Sequence, residues 1–319
     1  MKVDVIELPN SQVIQRFVDL PRLFDLLISE QVFFPTLETL AQSDPFECAI
    51  PVRLGCKTRK RAQLESEAMS LLPSVPGDLK TGDRDYDYNR YKRWLTHCTH
   101  KELVAHVSEM ELKLYRFRIV CSCWHLSEGE NDAMWKIYGG QLGVMLVSTV
   151  GRLAKAIKGH YSFLICSPDP QNYEIARVRY VSNTTPKRLP RFYRDKPWLL
   201  KRKAFEHERE LRVCHRLSEM ASNHDGGILL QMDPQELIQE IVLSPFNRDW
   251  INSSLASALG FLVKQRQFGI PIRIRESKHM AKPANRSAVL HGLELDKLGR
   301  SLGAGPRLRV QPRHIGKVR

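Results

Sequence analysis

Two carboxylates separated by a single residue stand just ahead of an arginine in Glu208-Arg209-Glu210-Leu211-Arg212, within the stretch KAFEHERELRV. If residues 208 to 213 are extended, period-two alternation sends Glu208, Glu210 and Arg212 to one sheet face. Arg209, Leu211 and Val213 then point to the other. Carboxylates this close repel, and one stays protonated unless a cation intervenes. Arg212 supplies that cation. Such a triad can hold sugar hydroxyls or a developing positive charge, so Glu210 and Glu208 form the candidate catalytic pair and Arg212 a candidate ligand contact. A structural, ion-paired strand edge is the competing reading of the same residues.

Three further stretches carry side chains suited to binding. QSDPFE places Asp44 and Glu47 around a Pro-Phe turn, where the acids cap neighbouring amides and Phe46 anchors the turn in the core. CSCWHLSEGENDAMWKIYGGQLGVML sets Trp124, Trp135 and Tyr138 around a polar loop. Trp135 and Tyr138, three apart on a helix, share a face. They suit a core or the wall of a pocket for a planar ligand. Ser122, on the strand just before, is placed to hydrogen-bond a ligand or a loop. Finally, PKRLPRFYRDKPWLLKRK, residues 186 to 203, holds eight Lys and Arg against one Asp. Lys187, Arg188, Arg191 and Arg194 with Tyr193 and Trp198 suit phosphate contact plus base stacking, or else a solvated basic loop.

The bulk properties bound these readings. The chain has 319 residues, 42% of them hydrophobic, with 49 basic and 35 acidic side chains. Residues 264 to 319 hold 14 Lys and Arg against 3 acids, so +11 of the +14 net charge sits at the C-terminal end. Nucleic acid is the partner class that charge suggests. Seven cysteines, an odd number scattered through a large chain, fit reduced thiols. No apolar run of membrane-spanning length occurs, and MKVDVIELPNSQVIQRF has no basic region leading into an apolar one. A cytoplasmic protein with no membrane partner is expected. The chain has no H-E-x-x-H, C-x-x-C, G-x-S-x-G, G-x-G-x-x-G or P-loop. No metal is expected.

The elements that must position these residues follow from periodicity. Helical spacing marks LPRLFDLLISEQ, NRYKRWLTHCTHKELVAHVSEMELKLYRF, TVGRLAKAIKGH and RDWINSSLASALGFLVKQ. NDAMWKIYGG starts a helix on an Asn or Asp cap and closes it at Gly139. VFFP, RFRIVCSCW, LGVMLVS, EIARVRYV, LIQEIVLS and IPIRIRES read as strands. LLKRKAFEHERELRVCHRL begins helical and ends as a strand. Strands and helices interleave without a βαβ rhythm, so an α+β fold is predicted: a mixed, mostly antiparallel sheet with flanking helices. Residues 1 to 276 form one domain, interrupted by a polar insertion at 51 to 90. Residues 277 to 319 form a basic, flexible and mostly extended tail.

Three motifs in order resemble a bacterial domain family catalogued only as a domain of unknown function: LFDLLISEQVFFPTLETLAQSDPFE, the Cys/Phe-Ser strand with its Met-Trp-x-x-Tyr helix and Gly-led strand, and the closing Glu-x-Glu-x-Arg. The resemblance spans roughly residues 13 to 275. Gln15-Arg16-Phe17 replaces the usual Lys-Tyr, the loop between Tyr138 and Gly143 is short, and the basic tail lies outside the family. The family implies no activity. A more distant similarity to ADP-ribosyltransferases rests on a basic residue on an early strand, a Ser-containing second strand and a Glu-x-Glu motif, matched in order by Arg16, Ser122 and Glu208 to Glu210. That likeness implies NAD as substrate, with Glu210 stabilising an oxocarbenium-like state and Trp124, Trp135 and Tyr138 walling the nicotinamide or adenine.

Overall fold

Apolar residues in period-two runs build an eight-stranded mixed sheet in the computed structural model, which describes residues 2–48, 56–57, 59–71, 88–127, 129–140, 142–159, 172–182, 190–217, 226–266 and 272–278. Lys187, Arg188, most of the 51 to 90 stretch and the chain from 279 onward lie outside the described residues. The strands are β1 (Lys2–Val5), β2 (Val13–Val18), β3 (Gln31–Pro35), β4 (Ile119–His125), β5 (Val144–Thr149), β6 (Ile157–Gly159), β7 (Asn172–Arg177), β8 (Arg179–Val181), β9 (Leu200–Arg202), β10 (Glu210–Arg216), β11 (Gly227–Met232), β12 (Glu240–Leu243) and β13 (Arg273–Glu276). The main sheet runs β1-β7-β10-β4-β2-β5-β12-β13. Only its outermost pairs, β1 with β7 and β12 with β13, are parallel. A second sheet runs β3-β11-β6, and β8 pairs with β9. The fold is α+β.

Both faces of the main sheet are covered, and its central strands bury polar side chains as well as apolar ones. On one face Ile14, Val120, Trp124, Leu146, Ile175, Leu211 and Val213 pack with Phe34, Leu230 and Met232 of the second sheet. On the other face Ile119, Cys121, Ala176 and Cys214 pack under Leu103, Val104 and Val107 of the helix His100–Arg118. That helix starts with a reciprocal cap, in which the Thr99 hydroxyl accepts the Glu102 amide and the Glu102 carboxylate accepts the Thr99 amide. Further along this face Phe17, Met134, Trp135, Met145 and Val242 form a smaller core.

Three local expectations are corrected. Residues 208 to 213 are not one extended run: Lys203–Glu208 is a 3-10 turn and Arg209 is left-handed at φ 44°, so β10 begins at Glu210. Trp135 and Tyr138 do not share a face. Trp135–Gly139 winds as a π-helical turn, wider than an α-helix, so residues three apart diverge. Trp135 is wholly buried while Tyr138 is 45% exposed. Arg118 still belongs to the preceding helix, so β4 starts at Ile119 instead of within the RFR segment.

Candidate functional site

Arg212, central on β10, has no exposed surface. Its Nε donates to Glu210 Oε1 at 2.7 Å and its Nη2 to Glu210 Oε2 at 3.2 Å, a two-pronged pairing. Its Nη1 donates to Glu47 Oε1 at 2.7 Å and to the Trp198 carbonyl at 2.7 Å. Lys201, on β9, reaches Glu210 Oε2 at 3.2 Å and Glu208 Oε2 at 2.6 Å. The Tyr138 hydroxyl donates to Glu208 Oε1 at 2.9 Å, and the Tyr180 hydroxyl accepts the Glu210 amide at 2.8 Å. Three carboxylates and two cations thus share one cluster. The left-handed Arg209 lets Glu208 turn back onto Lys201 beside Glu210, so the two glutamates still meet.

The charges support one another. Burial raises the Glu210 carboxyl, but Arg212 and Lys201 outweigh it and hold the group well below the usual carboxylate range. Burial works against the Arg212 and Lys201 cations, yet the facing carboxylates keep both above their ordinary values. Burial and the Glu208 charge push the Tyr138 phenol up. Glu210 is 1% exposed, and both of its oxygens are engaged. An ion cluster this closed specifies packing more readily than it receives a ligand.

The QSDPFE turn joins this network. Asp44 Oδ1 accepts the Phe46 amide at 3.1 Å, as expected of a turn, and also Arg202 Nη2 at 2.6 Å. Among the described residues Glu47 caps no amide; it pairs with Arg212, and Arg116 binds the carbonyls of Pro45 and Glu47. Phe46 does not anchor the turn in the core. It is 52% exposed and lies under the Arg202 guanidinium at 4.5 Å.

Ser122 and Glu210 lie on neighbouring strands but on opposite faces. Glu210 is opposite His125, Arg212 opposite Cys123 and Val213 opposite Ser122, and directly opposed residues share a face. Ser122 therefore shares a face with Val213, Trp124 and Leu211. Far from being exposed, it is 1% accessible, and its hydroxyl accepts the Trp124 indole N–H at 3.2 Å. Arg16 is on that same side, its guanidinium 5.8 Å from the centre of the Trp124 ring. Trp135 is in the small core on the Glu210 face, edge-on to Phe17 at 4.9 Å. The predicted set therefore divides into Glu47, Glu208, Glu210, Arg212 and Tyr138 on one face, and Arg16, Ser122 and Trp124 on the other.

The basic segment is partly used up inside the protein. Lys201 and Arg202 are in the ion network, and Lys196 pairs with Glu174. Trp198 packs against Tyr115 and gives its carbonyl to Arg212, and the Tyr193 hydroxyl donates to the Arg177 carbonyl at 3.4 Å. Arg191 and Arg194 are in the helix Arg191–Asp195. Residue types alone did not single out Lys201 or Tyr180. Lys201 is one of eight cations in its segment, and nothing local sets it apart. No helix among the described residues is long and apolar enough to cross a membrane. The chain matches no protein-family model, and no curated protein or solved structure matches it.

Proposed function

We propose that the chain works by binding, and that its partner is a nucleic acid engaged through the basic C-terminal end. The observation that carries this reading is the charge distribution: +11 in residues 264 to 319 against +3 in all that precedes. Polyanions recruit such segments by releasing counterions. The closed ion network supports the same reading, because a NAD-using site centred on Glu210 would need a fully paired, 1% exposed carboxylate to reach its ligand. It would also need Ser122 on the face where it does not lie.

The test is a salt titration of binding to duplex DNA and to single-stranded RNA, with the full chain and with a chain ended after His279. That end point retains Ser277 and Lys278, whose amides reach the Leu243 carbonyl at 3.2 Å and Glu130 Oε1 at 3.1 Å. It removes nine Lys and Arg and two acids. Each phosphate contact on duplex DNA contributes a slope of about −0.9 in log K against log salt. The truncated chain should lose several units of slope. An unchanged slope, or no binding by the full chain at low salt, would overturn the proposal.

A further inference from the structure

The helix Asp249–Gln265 packs one side against β12 and β13 and leaves the opposite side uncovered. On its inner face Asn252 and Leu259 are buried, and Leu255, Ala256, Leu262 and Val263 lie against the core at spacings of three and four residues. At about 100° per residue, Trp250, Ser254, Ser257 and Phe261 fall along the outer face. Trp250 and Phe261 are each 65% exposed, more than any other large hydrophobic among the described residues. The exposed residues between them, Ser253, Ser254, Ser257, Ala258 and Gly260, are all small. The two rings thus stand out from a rigid helix about 16 Å apart along its axis. Exposed aromatics held together in this way mark an interaction surface.

This face reads almost the same in both directions. Trp250 and Phe261 stand equally far from the point between Leu255 and Ala256, as do Ser254 and Ser257, and Ser253 and Ala258. A two-fold interface needs that property, because each residue that touches a second is touched in return by its copy. Two such helices laid antiparallel set Trp250 of each beside Phe261 of the other. The short serines then fall at the crossing, where they let the axes approach.

The charges at the flanks agree. Asp249 and Lys264 lie on one flank of the stripe, while Ser254, Ala258 and Gln265 on the other carry no charge. Arg248, one step earlier, is turned to the far side of the axis. Around a two-fold axis each flank meets its own copy in reverse. Asp249 therefore comes to Lys264 of the second copy, and symmetry repeats the pair at the other end. A parallel pair would instead set Asp249 against Asp249. Neither residue has an ion pair or side-chain hydrogen bond among the described residues. At 65% exposure, rings of roughly 150–250 Å² bring about 400–650 Å² from both copies together. That is about a third of the roughly 1,200–2,000 Å² of a specific interface, enough for its apolar centre.

We propose that this outer face docks on the same face of a second copy of the chain, antiparallel about a two-fold axis, to form a reversible dimer. The dimer requires no nucleic acid, so its failure and that of the nucleic-acid reading are separate results. Sedimentation equilibrium of the full chain, freed of nucleic acid, measures the dimer constant. The chain should pass from monomer to dimer between micromolar and submillimolar concentration. Phe261→Asp, at an exposed position, should weaken the dimer by about tenfold or more with little change in melting temperature. Asp249→Lys and Lys264→Glu each replace two attractive pairs by two repulsive ones, and each should weaken it about fivefold. The double exchange restores opposite charges and should return the constant to within about twofold of wild type. A full chain that stays monomeric throughout would overturn the proposal, including the case in which its own C-terminal end occupies the face. So would a dimer indifferent to Phe261→Asp, or one that the single charge changes weaken and the double exchange does not restore.

Discussion

Replacing Glu210 by Gln tests whether the paired glutamates are a structural core, because the change preserves shape and removes charge. Gln can still offer one oxygen to Arg212 Nε, now 2.7 Å from Glu210 Oε1. Its amide nitrogen must then face Arg212 Nη2 and Lys201 Nζ, each 3.2 Å from Glu210 Oε2, so donors meet donors. Arg212 retains Glu47, and Lys201 retains Glu208. Breaking a buried pair costs roughly 3–5 kcal/mol, and these surviving partners place the loss near the lower end, about 3 kcal/mol. For the unit Met1–His279, unfolding entropy of roughly 2.1 cal/mol/K per residue converts that to a Tm about 5 °C lower. Urea unfolding followed by circular dichroism gives the free energy directly. The pH dependence has a definite sign. The folded pKa of Glu210 is depressed, so its stabilisation is fully present above the ordinary carboxylate value near 4.3 and drains away as pH falls towards the folded value. The gap between wild type and Glu210→Gln should therefore narrow below about pH 4.5. A variant as stable as wild type at pH 7, with the same urea slope, would refute the reasoning and return Glu210 to the candidate catalytic groups.

Two further substitutions probe the same frame. Arg212→Met leaves the Glu47 and Glu210 carboxylates buried without their shared cation, so it should cost more than Glu210→Gln, and adding Glu47→Gln and Glu210→Gln should recover part of the loss; urea midpoints of the three chains check this. Gly143→Ala would put a Cβ 1.6 Å from the Gly139 carbonyl oxygen, a backbone atom that cannot swing away. The turn that seats Trp135 must then open, at a cost on the order of 3 kcal/mol, with a matching change in tryptophan fluorescence. An unperturbed spectrum would contradict that packing.

Local signals in the sequence were enough for the fold class and for several of its elements, while short strands such as β6, β9 and β11 escaped them. The apolar run in LGVMLVS and the alternation of IPIRIRES mark β5 and β13, Asn131 caps its helix by accepting the Ala133 amide, and RDWINSSLASALGFLVKQ is helical across Asp249–Gln265. These depend on neighbours within a turn or two, so the residues in hand suffice. The same holds for the Asp44 turn, whose carboxylate caps an amide two residues on.

The site depended on relations that no local pattern contains. Glu47 and Arg212 are 165 residues apart in the chain, and nothing near either one names the other. Arg209 in the left-handed region, and the wide turn at Trp135, are backbone states imposed by tertiary packing on residues that do not prefer them. Above all, alternation tells which residues of one strand share a face, but not which face of the neighbouring strand they join. That is set by register, and the pairing of Val213 with Ser122 puts Ser122 on one side and Glu210 on the other. A register shifted by one residue would have brought them together. Neighbouring residues thus set most of the strands and the charges they carry, and the pairing of those strands closed the glutamates around Arg212 while Arg16 came to lie beside Trp124 on the opposite face.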